Sequence, residues 1–172
     1  MRSLRAGVAM EGQDALYALA ERVAQRLRAR GETVAVAESA TGGAISAALL
    51  AVPGASAYFL GGAVVYTRQA RRALLAITDA EMSGIRPASE PYAALLARIV
   101  RDRHESSWAV SESGAAGPSG NRYGDPAGHS AIAVAGARAR TLTLRTQSAD
   151  RRGNMQAFAI TALQTLLEAI DG

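Results

Sequence analysis

A serine followed closely by two glycines is the feature of this chain that most clearly points to chemistry. Ser39 lies in the segment TVAVAESATGG, residues 33–43, after a run of small and β-branched residues and before the helical pattern AISAALLAV. This order predicts a buried strand, a tight turn and a helix whose N-terminal N–H groups face a negative or polarised oxygen. Acyl transfer needs a hydroxyl, a base and donors for the developing oxyanion. The segment therefore offers Ser39 as a nucleophile and the amides of residues 40–43 as donors.

Spacing alone leaves a second interpretation of this segment open, because serine and glycine after a strand commonly just cap a helix. The sequence does exclude several other sites. It contains no G-x-x-x-x-G-K-[ST] phosphate loop, no G-x-S-x-G elbow and no G-x-G-x-x-G opening a helix. With no cysteine, it also has no disulfide framework and no thiolate metal site.

Helical and strand patterns alternate around this segment. Apolar spacing and turn residues predict helices at about residues 14–30, 41–52, 69–77, 89–104 and 151–170, and strands at 33–38, 58–66, 107–112, 129–135 and 140–146. The last two strands form a predicted antiparallel hairpin. The alternation indicates an α/β fold with helices on both faces of a mixed sheet.

Three of the predicted strands end in polar or glycine-rich sequence, at residues 39–43, 66–68 and 111–120. Ligands of open α/β sheets bind outside the carboxyl ends of the strands. If these three strands are parallel, their polar ends meet at one edge of the sheet, and we expect a single pocket there.

Length and composition indicate one globular domain, residues 1–172, with a core at about 14–170. No apolar run reaches the roughly 20 residues that a membrane-spanning helix needs, and the start MRSLRAGVAMEGQD lacks a secretory pattern. We therefore expect a soluble, cytoplasmic protein that does not act at a membrane.

All nineteen basic residues are arginine, and the formal net charge is +4. These arginines are scattered between helix-core positions, which is typical of solvated helix faces. Nucleic-acid binding rests on charge alone, and we do not expect it. The absence of lysine matters more for chemistry, because lysine is the cationic side chain whose pKa can readily fall far enough to make a base.

Four segments, AESATGG, GGAVVYTRQARRALLAI, ASE and SGAAGPSG…DPAGHSAIAVA, stand in an order and at intervals that resemble the CinA C-terminal domain family. The resemblance runs from about residue 16 to 167. It implies a three-layer α/β/α sandwich with a mixed, mostly parallel sheet. It also implies an amidohydrolase that converts nicotinamide mononucleotide to nicotinic acid mononucleotide and ammonia without metal or organic cofactor. A homo-oligomer is expected on the same ground.

The resemblance also assigns roles to individual residues. Ser39 matches the nucleophile of the E-S-x-T-G-G motif. The implied substrate contacts are the T-G-G residues, the aromatic of Y-[ST]-N-x-x-K, the S-G-x-A-G-P loop and an arginine before the last helix that is expected to bind phosphate; they fall on Thr41, Gly42, Gly43, Tyr66, Ser113, Gly114, Gly117 and Arg151.

The departures from the family pattern concern catalysis. Arg71 stands at the position of the lysine taken to activate the serine, and Arg68 replaces the asparagine. A guanidinium is a far weaker acid than a lysine ammonium and stays protonated near neutral pH, so Arg71 supplies charge but no base. His129, near the expected substrate loop, is a possible pocket residue, whereas His104 is expected to be solvated or to cap a helix. Two hypotheses stay open: an active amidohydrolase, or a pyridine-nucleotide-binding protein that has lost its base.

Overall fold

The computed structural model describes the backbone of residues 2–172 and the side chains of residues 12–172. In this part of the chain, helices and strands alternate as the sequence patterns predict. The elements are α1 (Arg2–Arg30), β1 (Val34–Glu38), α2 (Ala44–Leu50), β2 (Phe59–Val64), α3 (Arg68–Leu75), α4 (Glu90–His104), β3 (Trp108–Ala115), β4 (His129–Ala135), β5 (Arg140–Arg145) and α5 (Arg151–Asp171).

The five strands form one sheet in the order β2-β1-β3-β4-β5. β1 lies at its parallel core, between β2 and β3, and all five of its residues are buried. β4 pairs antiparallel with both β3 and β5. Four strands therefore run in one direction and β4 alone is reversed, so the prediction of a mixed, mostly parallel sheet is confirmed.

Helices cover both faces of the sheet and make the expected three layers. On one face, α1, α2 and α5 pack against the sheet through side chains such as Leu27, Leu49 and Leu163. On the other face, α3 and α4 pack through Leu75 and Leu96. Among the described helices, none is long and apolar enough to cross a membrane.

Side-chain caps set the starts of the two helices that border the site. The Ser89 hydroxyl accepts a hydrogen bond from the Tyr92 amide at the start of α4, as its sequence predicts. Thr67 does the same for α3, accepting from the Ala70 amide at 3.0 Å. α2 begins at Ala44 rather than at residue 41, because Gly42 and Gly43 take up the turn with φ of 64° and 104°.

Candidate active site

The polar ends of β1, β2 and β3 meet at one edge of the sheet, as predicted, and line a cleft of about 670 Å³. Each strand contributes residues at its carboxyl end, and α3, α4 and two loops supply the walls. The lining includes Ser39, Tyr66, Thr67, Arg68, Arg71, Asp79, Tyr92, Ser113, Gly114, Asn121, Arg122 and Tyr123.

Ser39 directly follows β1 and lines this cleft. The preceding residue, Glu38, is the last residue of the strand. Glu38 is fully buried, whereas Ser39 is partly exposed. Within the described part of the chain, the Ser39 hydroxyl donates no hydrogen bond to a histidine, a carboxylate or any other base. Catalytic hydrogen bonds often form only once substrate is bound, so the position fits a nucleophile.

Two buried glutamates accept hydrogen bonds from amides of the turn and of the first turn of α2. Glu38 accepts from the amides of Ile45 and Ser46 at 3.1 and 3.0 Å. Glu112 accepts from the amides of Ser39 and Thr41 at 3.2 and 3.0 Å. The prediction that the α2 N-terminus is open to a ligand is therefore wrong, because side-chain carboxylates already fill it.

The remaining turn amides limit where an oxyanion could bind. The Gly42 amide donates to the Ser39 carbonyl at 3.1 Å. In the described residues, the amides of Ala40 and Gly43 donate no hydrogen bond. Of the four donors predicted at residues 40–43, these two are the ones without a hydrogen-bond acceptor in the described part of the chain.

The T-G-G residues lie in the turn rather than along the cleft. Thr41 is 1% exposed, and its hydroxyl contacts both Glu38 and Glu112. Gly42 and Gly43 are more exposed and hold positive φ angles. Their geometry explains why the turn needs glycine, and a direct contact between these three residues and substrate stays a prediction.

Arg71 lines the cleft from α3 with a side chain that is only 7% exposed. One guanidinium nitrogen lies 3.3 Å from an Asp79 carboxylate oxygen, and the buried Nε has no hydrogen-bond partner. Burial raises the pKa of the neighbouring Tyr92 hydroxyl, while the charge of Arg71 and its hydrogen bond act against that shift. Arg71 is thus a buried cation at the position where the family pattern has lysine.

Three arginines of α3 share one carboxylate. Arg68 and Arg72 bond to Asp79 together with Arg71. The hydrogen bond from Arg68 and the charges of all three guanidinium groups hold the pKa of the Asp79 carboxyl below its ordinary value. One negative charge against three positive ones leaves this wall of the cleft suited to an anion.

Arg151, the expected phosphate contact, lies beside Tyr66 and outside the cleft lining. Its guanidinium donates to the Gly117 carbonyl at 2.7 Å and to the Tyr66 hydroxyl at 3.4 Å. Arg151 thus joins the first turn of α5 to two of the other residues that the resemblance assigns to the site. Tyr66 is 60% exposed.

Ser113 and Gly114 lie at the end of β3, next to β1, and both line the cleft. Gly114 is required by the close approach of β4, since a Cβ there would meet the His129 carbonyl oxygen at 2.3 Å. His129 is not among the lining residues; its Nε2 lies 2.7 Å from the carbonyl oxygen of Ala88, which does line the cleft. His104 packs against Gly61 of β2. Neither histidine contacts Ser39.

The sequence motifs do not predict the roles of Glu38, Glu112 and Asp79 in the site. A signal for the two glutamates exists, because A-V-x-E-S occurs twice, at residues 35–39 and 109–113. The register of β1 and β3 places Glu38 opposite Glu112, so the two motifs end side by side. Asp79 has no comparable signal, although its loop directly follows α3 in the chain.

The fold is an α/β domain with a cleft at the carboxyl edge of its parallel strands, and Ser39 is one of the residues that line this cleft. The family model for the CinA C-terminal domain matches residues 16–170. A CinA-like protein from Prochlorococcus marinus (strain MIT 9313) is 43% identical over 132 residues, covering 77% of this chain and 30% of that protein. Another, from Anaeromyxobacter sp. (strain K), is 38% identical over 160 residues, covering 93% of this chain and 38% of that protein.

Solved structures agree with this match. The competence/damage inducible protein CihA from Agrobacterium tumefaciens superposes with a TM-score of 0.84 at 29% identity, covering 92% of this chain and 96% of that one. A CinA superfamily protein from Escherichia coli gives 0.83 at 27% identity, with 89% of each chain covered. The chain belongs to the CinA C-terminal domain family. It spans about a third of the length of the curated relatives it matches.

Proposed function

We propose that this protein hydrolyses the carboxamide of nicotinamide mononucleotide, giving nicotinic acid mononucleotide and ammonia. The observation that carries the proposal is the placement of Ser39 in a cleft with Tyr66, Arg71 and Ser113. Ser39 Oγ attacks the amide carbon, ammonia leaves, and water releases the acid from the ester. The free amides of Ala40 and Gly43 are the candidate donors to the oxyanion.

The charge of the cleft supports a phosphorylated substrate. Arg68 and Arg71 line the cleft, and Arg151 lies beside Tyr66. Guanidinium groups bind phosphate through paired, charge-assisted hydrogen bonds. In this proposal the α3 arginines bind the phosphate end, Arg151 adds positive charge beside Tyr66, and the exposed Tyr66 ring packs against the pyridine ring.

The decisive experiment is to incubate the purified protein with nicotinamide mononucleotide and to measure ammonia and nicotinic acid mononucleotide together. We expect both products in equal amounts from the wild type and none above blank from Ser39→Ala. Ser56→Ala, at an exposed serine that precedes β2 and does not line the cleft, is the matched control and retains activity. Absence of ammonia from the wild type over several hours would refute the proposal.

A second function, nucleotide binding without turnover, is favoured by one observation. Arg71 occupies the lysine position, stays protonated and keeps a buried Nε without a partner, which an anionic ligand could use. This function predicts that nicotinamide mononucleotide raises the melting temperature while no product forms. Calorimetry that detects no binding would rule it out.

A further inference from the structure

Two carboxylates lie side by side in the interior, next to the Ser39 turn. Glu38 and Glu112 are register partners at the ends of β1 and β3, and both are 0% exposed. In the described part of the chain, neither forms an ion pair with an arginine or a histidine. Two adjacent buried carboxylates without a cation do not both ionise readily, because like charges repel and burial penalises each charge.

Apart from the Thr41 hydroxyl, each glutamate of the pair has two backbone amides and one serine hydroxyl as hydrogen-bond partners. Glu38 accepts from two amides of α2 and from the hydroxyl of Ser46 at 2.7 Å. Glu112 accepts from the amides of Ser39 and Thr41, and its other oxygen lies 2.9 Å from the Ser130 hydroxyl. Since a serine hydroxyl can donate or accept, the contact with Ser130 also suits a protonated Glu112.

The Thr41 hydroxyl lies between the two glutamates. Its oxygen is 2.7 Å from Glu38 Oε2 and 3.1 Å from Glu112 Oε2. A hydroxyl has one proton, so Thr41 can donate to only one of the two carboxylates. The shorter contact assigns the Thr41 proton to Glu38, so Glu112 lacks this donor and is the carboxyl of the pair that holds the added proton.

We propose that Glu112 is a positioning residue: it carries the proton of a Glu38–Glu112 pair and, by accepting the amides of Ser39 and Thr41, fixes the turn that presents Ser39 to the cleft. Its bearing on catalysis rests on the role proposed for Ser39. The location of the proton and the geometry of the turn are independent of that role, because both can be measured without substrate.

The surroundings of Glu112 support this assignment. Burial raises the pKa of its carboxyl, and the hydrogen bonds from Thr41, Ser130 and Ser39 offset only part of that shift. α2 and β2 contain no titratable residue, and β4 contributes the Ser130 hydroxyl. The first turn of α5 carries Arg151, whose guanidinium bonds to Gly117 and Tyr66, and Arg152, which is exposed.

The sign of the pH dependence follows from the raised pKa. A carboxyl whose pKa is higher in the folded state contributes stability below its unfolded pKa of about 4.3, and that contribution is lost as the pH rises through the folded value. Glu112→Gln stays neutral at every pH. Its amide oxygen can accept from Ser39 and Thr41 while its NH2 group donates to Ser130, so the variant should retain the turn.

The test combines two spectroscopic measurements on the full chain. Infrared spectra of the wild type at pH 7 should contain the C=O band of a protonated carboxylic acid, which disappears in Glu112→Gln and persists in the control Glu81→Gln, at an exposed glutamate. In NMR spectra, the Ser39 and Thr41 amide signals should shift together as the pH is raised in the wild type and stay fixed in Glu112→Gln.

Each of the two measurements has a result that would contradict the proposal. A wild type without the acid band at pH 7, or a band that survives in Glu112→Gln, would overturn the assignment of the proton. Ser39 and Thr41 amide signals that do not respond to pH in the wild type would overturn the positioning role, and this measurement needs no variant to fold. Either result leaves the deamidase proposal open, because no substrate is used.

Discussion

Arg71 differs from a lysine in the property that matters most to a neighbouring serine. Its guanidinium stays protonated at any pH near neutrality, whereas a buried lysine amine can lose its proton and act as a base. Arg71 also bonds to Asp79 from a nearly buried position, so it is held against the cleft wall. Arg71 therefore supplies the positive charge of a lysine at this position but cannot act as a base.

Arg71→Lys should therefore increase the rate of nicotinamide mononucleotide deamidation. A general base is worth roughly 10²–10⁴-fold in rate, and we expect a gain within that range if the new amine reaches Ser39. The measurement is ammonia release under saturating substrate. Arg72→Lys is the matched control, because Arg72 lies on the same helix, bonds to the same Asp79 and is exposed. Equal rates in the two variants would contradict the hypothesis that arginine at position 71 leaves the site without a general base.

At the scale of elements, α3 does most to shape the cleft. Its N-terminus follows β2 directly, and its first turns carry Arg68, Arg71 and Arg72 toward Asp79. Thr67 closes the start of the helix by accepting the Ala70 amide and lines the cleft as well. The stability of the first turn of α3 and the position of the arginine cluster are thus linked.

Thr67→Ala should lower the free energy of unfolding by about 1 kcal/mol, within the usual range of about 0.5–2 kcal/mol for a lost N-cap. The cause is the Ala70 amide, which loses its acceptor. Thr67→Ser keeps a hydroxyl at the same position and should retain nearly all of the stability. Urea denaturation of the wild type and both variants measures the difference. An alanine variant as stable as the serine variant would mean that the cap contributes nothing.

The sequence patterns predict the elements and the cleft because both depend on local signals. Apolar spacing gives the helices, and the polar ends of three strands give the site, which the parallel pairing of β1 with β2 and β3 then brings together. The acceptors of the turn amides could not be predicted in this way. Glu38 and Glu112 accept hydrogen bonds from amides of the turn and of α2, and these two glutamates are 74 residues apart in the chain (112 − 38).

Self-association and a cytoplasmic location stay predictions.

On acidification, the net charge of the whole molecule changes almost entirely through its aspartates and glutamates. All nineteen basic residues are arginine, and only two histidines are present. Hydrogen bonds hold the carboxyl pKa values of Asp79 and Glu90 below their ordinary values, from Arg68 on Asp79 and from Thr141 and Thr143 on Glu90. Burial opposes the same shift in Asp125, but hydrogen bonds from Arg86 and Asn121 lower its pKa overall.

These shifts predict a loss of stability on acidification. A carboxyl with a lowered folded pKa contributes stability above its unfolded pKa of about 4, and that contribution disappears as the pH falls through the folded value. Protonation of the fifteen acids also leaves nineteen arginine charges to repel one another. The melting temperature should therefore fall most steeply below about pH 4, and less so in roughly 0.5 M salt, which screens the repulsion. Glu112 acts in the opposite direction, so Glu112→Gln should leave this acid limb in place. A melting temperature that stays constant down to pH 3 would contradict the assignment of these carboxyl groups.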